Sequence, residues 1–102
     1  MRIEDYRRYL AAANERRWNV VAEYVADHVQ VNGRLIDQAT YLDDLGRLAI
    51  AHPEHRWEIA DLLRDGDRLA ARLTTTGSPG NFELAYYRWA AGRIVEVWTI
   101  GQ

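Results

Sequence analysis

Asp65 to Trp98 decides the fold. It opens with Asp65-Gly66-Asp67 and continues as Arg68-Leu-Ala-Ala-Arg-Leu-Thr-Thr-Thr76. Gly77-Ser-Pro-Gly80 interrupts, and a second apolar run extends from Asn81 to Ala90. Ala91-Gly92 then leads into Arg93-Ile-Val-Glu-Val-Trp-Thr-Ile100. Three strand-forming runs separated by turn residues predict an antiparallel meander. Asp65-Gly66-Asp67 reads as turn chemistry, not as a calcium loop, which needs a longer ladder of oxygen ligands.

The chain before the meander reads differently. Tyr6, Tyr9, Leu10 and Ala13 recur at helical spacing and predict a helix from Glu4 to about Ala13. Trp18, Val21, Ala22 and Val25 predict a second short helix over Arg17 to about Val25. From His28 to Ile36 the period is that of a strand, with Asn32-Gly33 as a tight hairpin turn. Asp37 is placed to cap a helix over Gln38 to Ala51, with Tyr41, Leu42, Leu45, Leu48 and Ala49 as its stripe. His52-Pro53 ends that helix, because a residue before proline avoids the helical region. Arg56 to Leu63 is the next strand; strict alternation sets Trp57, Ile59, Asp61 and Leu63 against Glu58, Ala60 and Leu62. Helices followed by segregated strands define an α+β fold, with helices on one face of a curved antiparallel sheet.

A chain of 102 residues is one domain, residues 1–102, without repeats or linkers. The net charge is −2 and no basic stripe is present, so nucleic acid is not an expected partner. No apolar run approaches the roughly 18 residues a membrane span needs, and the start, Met-Arg-Ile-Glu-Asp, is not an apolar signal segment. The absence of cysteine removes disulfides, thiol catalysis and cysteine zinc sites, and fits a cytoplasmic protein. The aromatic content is four Trp, six Tyr and one Phe, the types that suit a wall with an apolar body and a polar edge.

Several segments carry a family resemblance. Tyr9-Leu-Ala-Ala-Ala-Asn14, Ala26-Asp27-His28-Val29, Asp61 to Arg72 with Thr76-Gly77, and Gly92-Arg-Ile-Val-Glu-Val-Trp98 stand in the order found in SnoaL-like polyketide cyclases. Trp18 stands where that family carries a large apolar residue after Gly-Asp, and here Glu15-Arg16-Arg17 replaces the turn. The resemblance implies the nuclear transport factor 2-like (ketosteroid isomerase-like, cystatin-like) fold: a cone of curved antiparallel sheet wrapped around N-terminal helices and enclosing one apolar pocket. Similarity to ketosteroid isomerases puts Leu69, Ala71, Leu73, Thr75, Glu83, Ala85, Tyr87, Trp89, Val95, Val97, Thr99 and Gly101 toward the pocket. The expected pocket wall is Tyr9, Trp18, Tyr41, Leu73, Glu83, Tyr87, Trp89, Val97 and Thr99. Phe82, Leu84, Tyr86, Ile94, Trp98 and Ile100 then form an outer face too apolar for bare solvent, which predicts a homodimer.

The catalytic positions of these relatives are not retained. The cyclase acid/base Asp and its preceding His correspond to Thr99 and Val97, which do not titrate near neutral pH. An epoxide hydrolase-like Asp-Arg-Asp set also loses its final Asp at Thr99. Of the isomerase set, Tyr9 matches the Tyr, whereas the base falls near Asn32-Gly33 and the second Asp at Ala85. The remaining candidates are Glu83, Tyr9 and His28. Glu83 in an apolar pocket would have a raised pKa suited to proton transfer; the alternative is a rim Glu paired with Arg. His28 is either a base or a hydrogen-bonded structural histidine at a strand entrance. His52, Glu54 and His55 are too loosely spaced across a proline, and too few, to make a metal site. Arg72 is expected to pair with a neighbouring carboxylate such as Glu96.

No metal or cofactor is called for, and the expected partner is a small apolar or aromatic ligand. The alternative is a non-catalytic dimerisation or accessory module. A pocket of about 300 Å³ or more favours ligand chemistry; a core filled by mutually satisfied tyrosines favours the module.

Overall fold

A computed structural model describes residues 1–101. Helix α1 spans Ile3–Asn14, and Tyr6, Tyr9, Leu10, Ala12 and Ala13 form its buried side. The Asp5 carboxylate accepts the backbone N–H of Arg2 at 2.8 Å and satisfies one free donor at the helix start. Helix α2 is Trp18–Glu23. It stops short of Val25, which opens strand β1 (Val25–Val31). Val25 is fully buried and pairs with Ile94, so its β-branched side chain serves the sheet and not the predicted helix stripe.

Strand β2 (Arg34–Asp37) returns antiparallel to β1 across Asn32-Gly33. Both turn residues have positive φ, +49° and +86°, as a hairpin turn of this handedness requires. Asp37 ends β2 and caps helix α3 (Gln38–Ala51), its carboxylate accepting the Thr40 N–H at 2.8 Å. Strands β3 (Arg56–Asp65), β4 (Arg68–Thr76), β5 (Phe82–Ala90) and β6 (Arg93–Gly101) form the expected meander. The sheet order is β2-β1-β6-β5-β4-β3. Every pairing is antiparallel except β1 with β6. These two strands lie far apart in the chain, so no tight turn constrains their direction.

Two irregularities correct the strict alternation. Between β5 and β6 the register passes from Arg88↔Glu96 to Trp89↔Ile94, leaving Val95 without a partner. Ile94 therefore takes the inward place and is fully buried, so it is not part of the outer face. Between β3 and β4 the register skips Ala60. Leu62 then packs against the core, while Leu63 is 71% exposed. Trp57 and Leu62 thus share the inner side, and Asp61 and Leu63 border the outer groove. The Arg72–Glu96 pair does not form; Arg88 holds Glu96 at 2.9 Å instead.

Asn14 joins the helical layer to the sheet. Its side-chain amide donates to the Trp57 carbonyl at 2.8 Å and accepts the Trp57 N–H at 2.9 Å. The end of α1 therefore completes the free edge of β3. The core lies between α1, α3 and the inner sheet face, around Tyr6, Val21, Val29, Leu69, Leu73 and Trp89.

Candidate functional site

The inner face of the sheet encloses a cavity of about 180 Å³. Helix α1 supplies Tyr9, Leu10 and Ala13, and α3 supplies Tyr41, Leu45 and Leu48. Trp57, Glu83, Tyr87, Val97 and Thr99 come from the strands. The helical repeat of α1 places Tyr6 and Tyr9 over the sheet. The strand period of β5 places Glu83, Ala85 and Tyr87 on one side.

Tyrosines dominate the polar chemistry. The hydroxyls of Tyr9 and Tyr41 lie 2.5 Å apart and share a hydrogen bond. Tyr6 donates to the Tyr87 hydroxyl at 3.3 Å. The rings of Tyr6 and Tyr87 meet at 5.0 Å and those of Tyr9 and Tyr87 at 6.2 Å, tilted and edge-on as aromatic quadrupoles prefer. Burial pushes all four phenols upward, Tyr41 to about 12. They are neutral hydrogen-bonding groups near neutral pH, not bases. A pair of hydroxyls that shares one hydrogen bond retains one proton free to donate.

Glu83 is the half-buried carboxyl of this wall. Burial raises its pKa, partly offset by the Trp57 indole, whose Nε1 donates to Glu83 Oε1 at 3.4 Å. No ion pair holds Glu83 among the described residues, so the rim-paired arrangement with an arginine is absent there. Asp44 also lines the cavity but is exposed and lies 3.8 Å from Arg47.

Of the expected wall, Tyr9, Tyr41, Glu83, Tyr87, Val97 and Thr99 come together. Trp18 is half-buried on α2 against the core and does not line the cavity. Leu73 and Trp89 are buried beneath the wall and do not line it either; inward-facing residues near the closed part of a packed core meet other side chains, not open space. His28 is exposed on β1, opposite Asp37 in the hairpin, and is absent from the cavity wall. Several wall residues were not expected from the sequence, Val31, Leu45, Leu48 and Trp57 among them, and Trp57 is the largest. Its position two residues before Ile59 on the inner strand face was the available signal.

Among the described residues, no three His, Cys, Asp or Glu side chains cluster as metal ligands would. A larger concavity, about 650 Å³, lies on the opposite sheet face, bordered by Leu63, Arg72, Leu84, Tyr86, Trp98 and Ile100. It is an open apolar groove. The inner cavity, by contrast, gathers the hydroxyls and the perturbed carboxyl, and is therefore the candidate site.

This architecture, helices laid into an unclosed curved sheet, is that of the SnoaL-like and cystatin-like α+β proteins. The family model described as SnoaL-like polyketide cyclase matches residues 4–102, and the chain belongs to that family. A SnoaL-like polyketide cyclase from Agrobacterium tumefaciens is similar over 100% of this chain and 93% of its own, with 27% identity and a TM-score of 0.90. IdmH from Streptomyces antibioticus, a candidate polyketide cyclase, shares 21% identity and a TM-score of 0.86 over 97% of this chain and 90% of its own. A cystatin-fold protein from Novosphingobium aromaticivorans shares 19% identity and a TM-score of 0.83 over 95% of each chain. No curated protein matches the sequence. No helix among the described residues is long and apolar enough to cross a membrane.

Proposed function

We propose that this protein binds a small, neutral aromatic ligand in the inner cavity and that Glu83 exchanges a proton with it. The observation that carries this reading is the placement of Glu83: a half-buried carboxyl with a raised pKa on the wall that also holds Tyr9, Tyr41 and Tyr87. An apolar cavity of about 150 Å³ accepts a benzene ring, so a volume of about 180 Å³ suits one ring. The reaction class is enolisation, the elementary step of isomerisations and many cyclisations. Ionised Glu83 takes a proton from carbon beside a carbonyl, and the C–H electrons move into the enolate. The free proton of the Tyr9–Tyr41 pair hydrogen-bonds the enolate oxygen, and return of the proton from Glu83 completes the cycle.

Acetophenone in heavy water tests both parts. Deuterium should enter its methyl group faster with protein than without, and Glu83→Gln should remove the acceleration. Filling the cavity with Leu45→Trp should abolish binding of phenol measured by calorimetry. Phenol that fails to bind the wild type, or binds the filled variant equally, would refute the ligand reading. Exchange that survives Glu83→Gln would refute the role of Glu83.

The non-catalytic module has one observation in its favour. The Tyr9 and Tyr41 hydroxyls already bond each other across the cavity wall, and the cavity is smaller than the roughly 300 Å³ of a typical drug-sized site. Both readings share a proposed homodimer through the outer sheet face. Leu63, Leu84, Trp98 and Ile100 are 71%, 44%, 45% and 70% exposed there. Such an apolar face exceeds scattered surface exposure, and a twofold pairing covers it with itself.

A further inference from the structure

Glu83 and Leu48 border a second compartment as well as the inner cavity. It has a volume of about 310 Å³ and is also lined by His52, His55, Ser78 and Phe82. The loop after α3 and the Gly77–Gly80 turn meet here. A side chain on Gly77 would come within 1.9 Å of the Glu54 carbonyl oxygen, so glycine is what lets the two backbones touch. Arg16 clamps the first loop by donating to the His55 carbonyl at 2.8 Å. The His55 ring is fixed edge-on to Trp57 at 4.4 Å, and its Nδ1 lies 2.6 Å from Ser78 Oγ.

His55 is only 5% exposed, and its Nε2 is buried without a hydrogen-bond partner among the described residues. A buried polar atom left unpaired is costly, and a native structure keeps few of them. Neither tautomer repairs this, because one leaves Nε2 as an unused donor and the other as an unused acceptor. Nε2 is thus left without a partner in a residue that lines the compartment. Burial and the nearby Arg16 keep the ring of His55 neutral by lowering its pKa. Arg16 behind the His55 carbonyl repels a ligand cation and draws an anion, and Glu83 on the wall does the reverse, so a neutral group is the one that neither repels.

We infer that the ligand has two parts: an aromatic ring that fills the inner cavity, and a neutral hydroxyl or carbonyl that reaches past Glu83 to His55 and Ser78. This rests on the ligand-binding reading above and extends it with a polarity and a second subsite. The sequence showed His52 and His55 only as poor metal ligands. The fold instead sets His55 against Ser78, far away in the chain, as a hydrogen-bonding pair for a neutral oxygen.

Four probes with one phenol ring test the inference by calorimetry: phenol, tyrosol, tyramine and hydroxyphenylacetate. The last three share one two-carbon tail and end in a hydroxyl, an ammonium and a carboxylate. Tyrosol should bind about tenfold tighter than phenol, the worth of one or two good hydrogen bonds. Tyramine and hydroxyphenylacetate should gain nothing over phenol. Ser78→Ala and, separately, His55→Phe should remove the tyrosol advantage while leaving phenol affinity unchanged. Ser78→Ala removes one half-buried loop hydroxyl and leaves the His55 ring in place, so it serves even where His55→Phe fails to fold. Equal affinities for phenol and tyrosol, a tyrosol advantage that survives Ser78→Ala, or tightest binding by tyramine would each overturn the second subsite. Loss of all binding, phenol included, would instead refute the inner cavity as a ligand site, and the inference with it.

Discussion

The side-chain oxygen of Asn32 accepts the backbone N–H of Thr99 at 2.9 Å, while the Asn32 N–H donates to the Val97 carbonyl at 2.9 Å. The hairpin turn is thereby sewn to the last strand, beside the rim of the inner cavity. Asn32 also holds a positive φ of 49°, a conformation asparagine tolerates better than most residues. Asn32→Gly keeps the backbone permissible and removes only the side-chain bond, so it should cost about 1 kcal/mol. Asn32→Ala adds left-handed strain of about 1 kcal/mol. Urea denaturation of the two variants checks the order; equal stability of both would show that the Thr99 bond alone matters.

Gly77 should be the least replaceable glycine. A Cβ there meets the Glu54 carbonyl at 1.9 Å, whereas Gly66 has open space around it. Gly66→Ala should cost about 1–2 kcal/mol from positive φ alone. Gly77→Ala carries the same strain plus a backbone collision, and should lose more than about 3 kcal/mol. Thermal melts of the pair suffice, and comparable losses would contradict the close approach of the two loops.

The Tyr9–Tyr41 bond is testable by a double-mutant cycle. Tyr9→Phe or Tyr41→Phe alone strands the other hydroxyl in the core and should cost about 1–2 kcal/mol. The double variant should cost less than the sum, with a coupling of about 1 kcal/mol. Additive losses would mean that the two hydroxyls do not interact.

Glu83 makes stability pH-dependent in a defined direction. Its folded pKa is raised by burial, so the folded protein binds the proton more tightly than the unfolded chain. Stability is then greatest below the ordinary glutamate range and falls as pH rises from that range through the folded value, after which the contribution is constant. Glu83→Gln should flatten this segment of the stability–pH curve. Denaturant midpoints collected from pH about 4 upward decide the matter, and a variant whose curve parallels the wild type would assign the slope to other groups.

Trp98 probes the proposed dimer. Its indole N–H donates to Glu96 at 2.7 Å, and Arg88 holds the other carboxylate oxygen, so the ring is oriented on the outer face. Trp98→Glu sets a second carboxylate beside Glu96 and an unpaired charge in the paired face, and should give a folded monomer. Light scattering at micromolar concentration reads the mass. A monomeric wild type, or a dimeric Trp98→Glu variant, would end the proposal.

Much of the architecture is local chemistry and was legible in the residues. Tyr6, Tyr9 and Leu10 announce α1 by spacing, Asn32-Gly33 announces its turn, and Asp37 caps α3, because each signal acts over a few residues. The wall residues Tyr9, Tyr41, Glu83 and Tyr87 followed from strand and helix periods combined with the family resemblance. Two bulges escaped that reasoning. Nothing local marks Val95 or Ala60 as unpaired; the skip arises where neighbouring strands must match register around a curved sheet. That is why Ile94 turned inward and Leu63 outward. Whether Trp18, Leu73 and Trp89 lined open space or packed core was likewise decided by three-dimensional filling. So were the Tyr9–Tyr41 bond across 32 positions and the His55–Ser78 pair across 23. The chain by itself determined its elements and the type of container they build. Only tertiary structure decided which side chains face one another inside it, since such contacts depend on register, bulges and packing that no short stretch of sequence encodes.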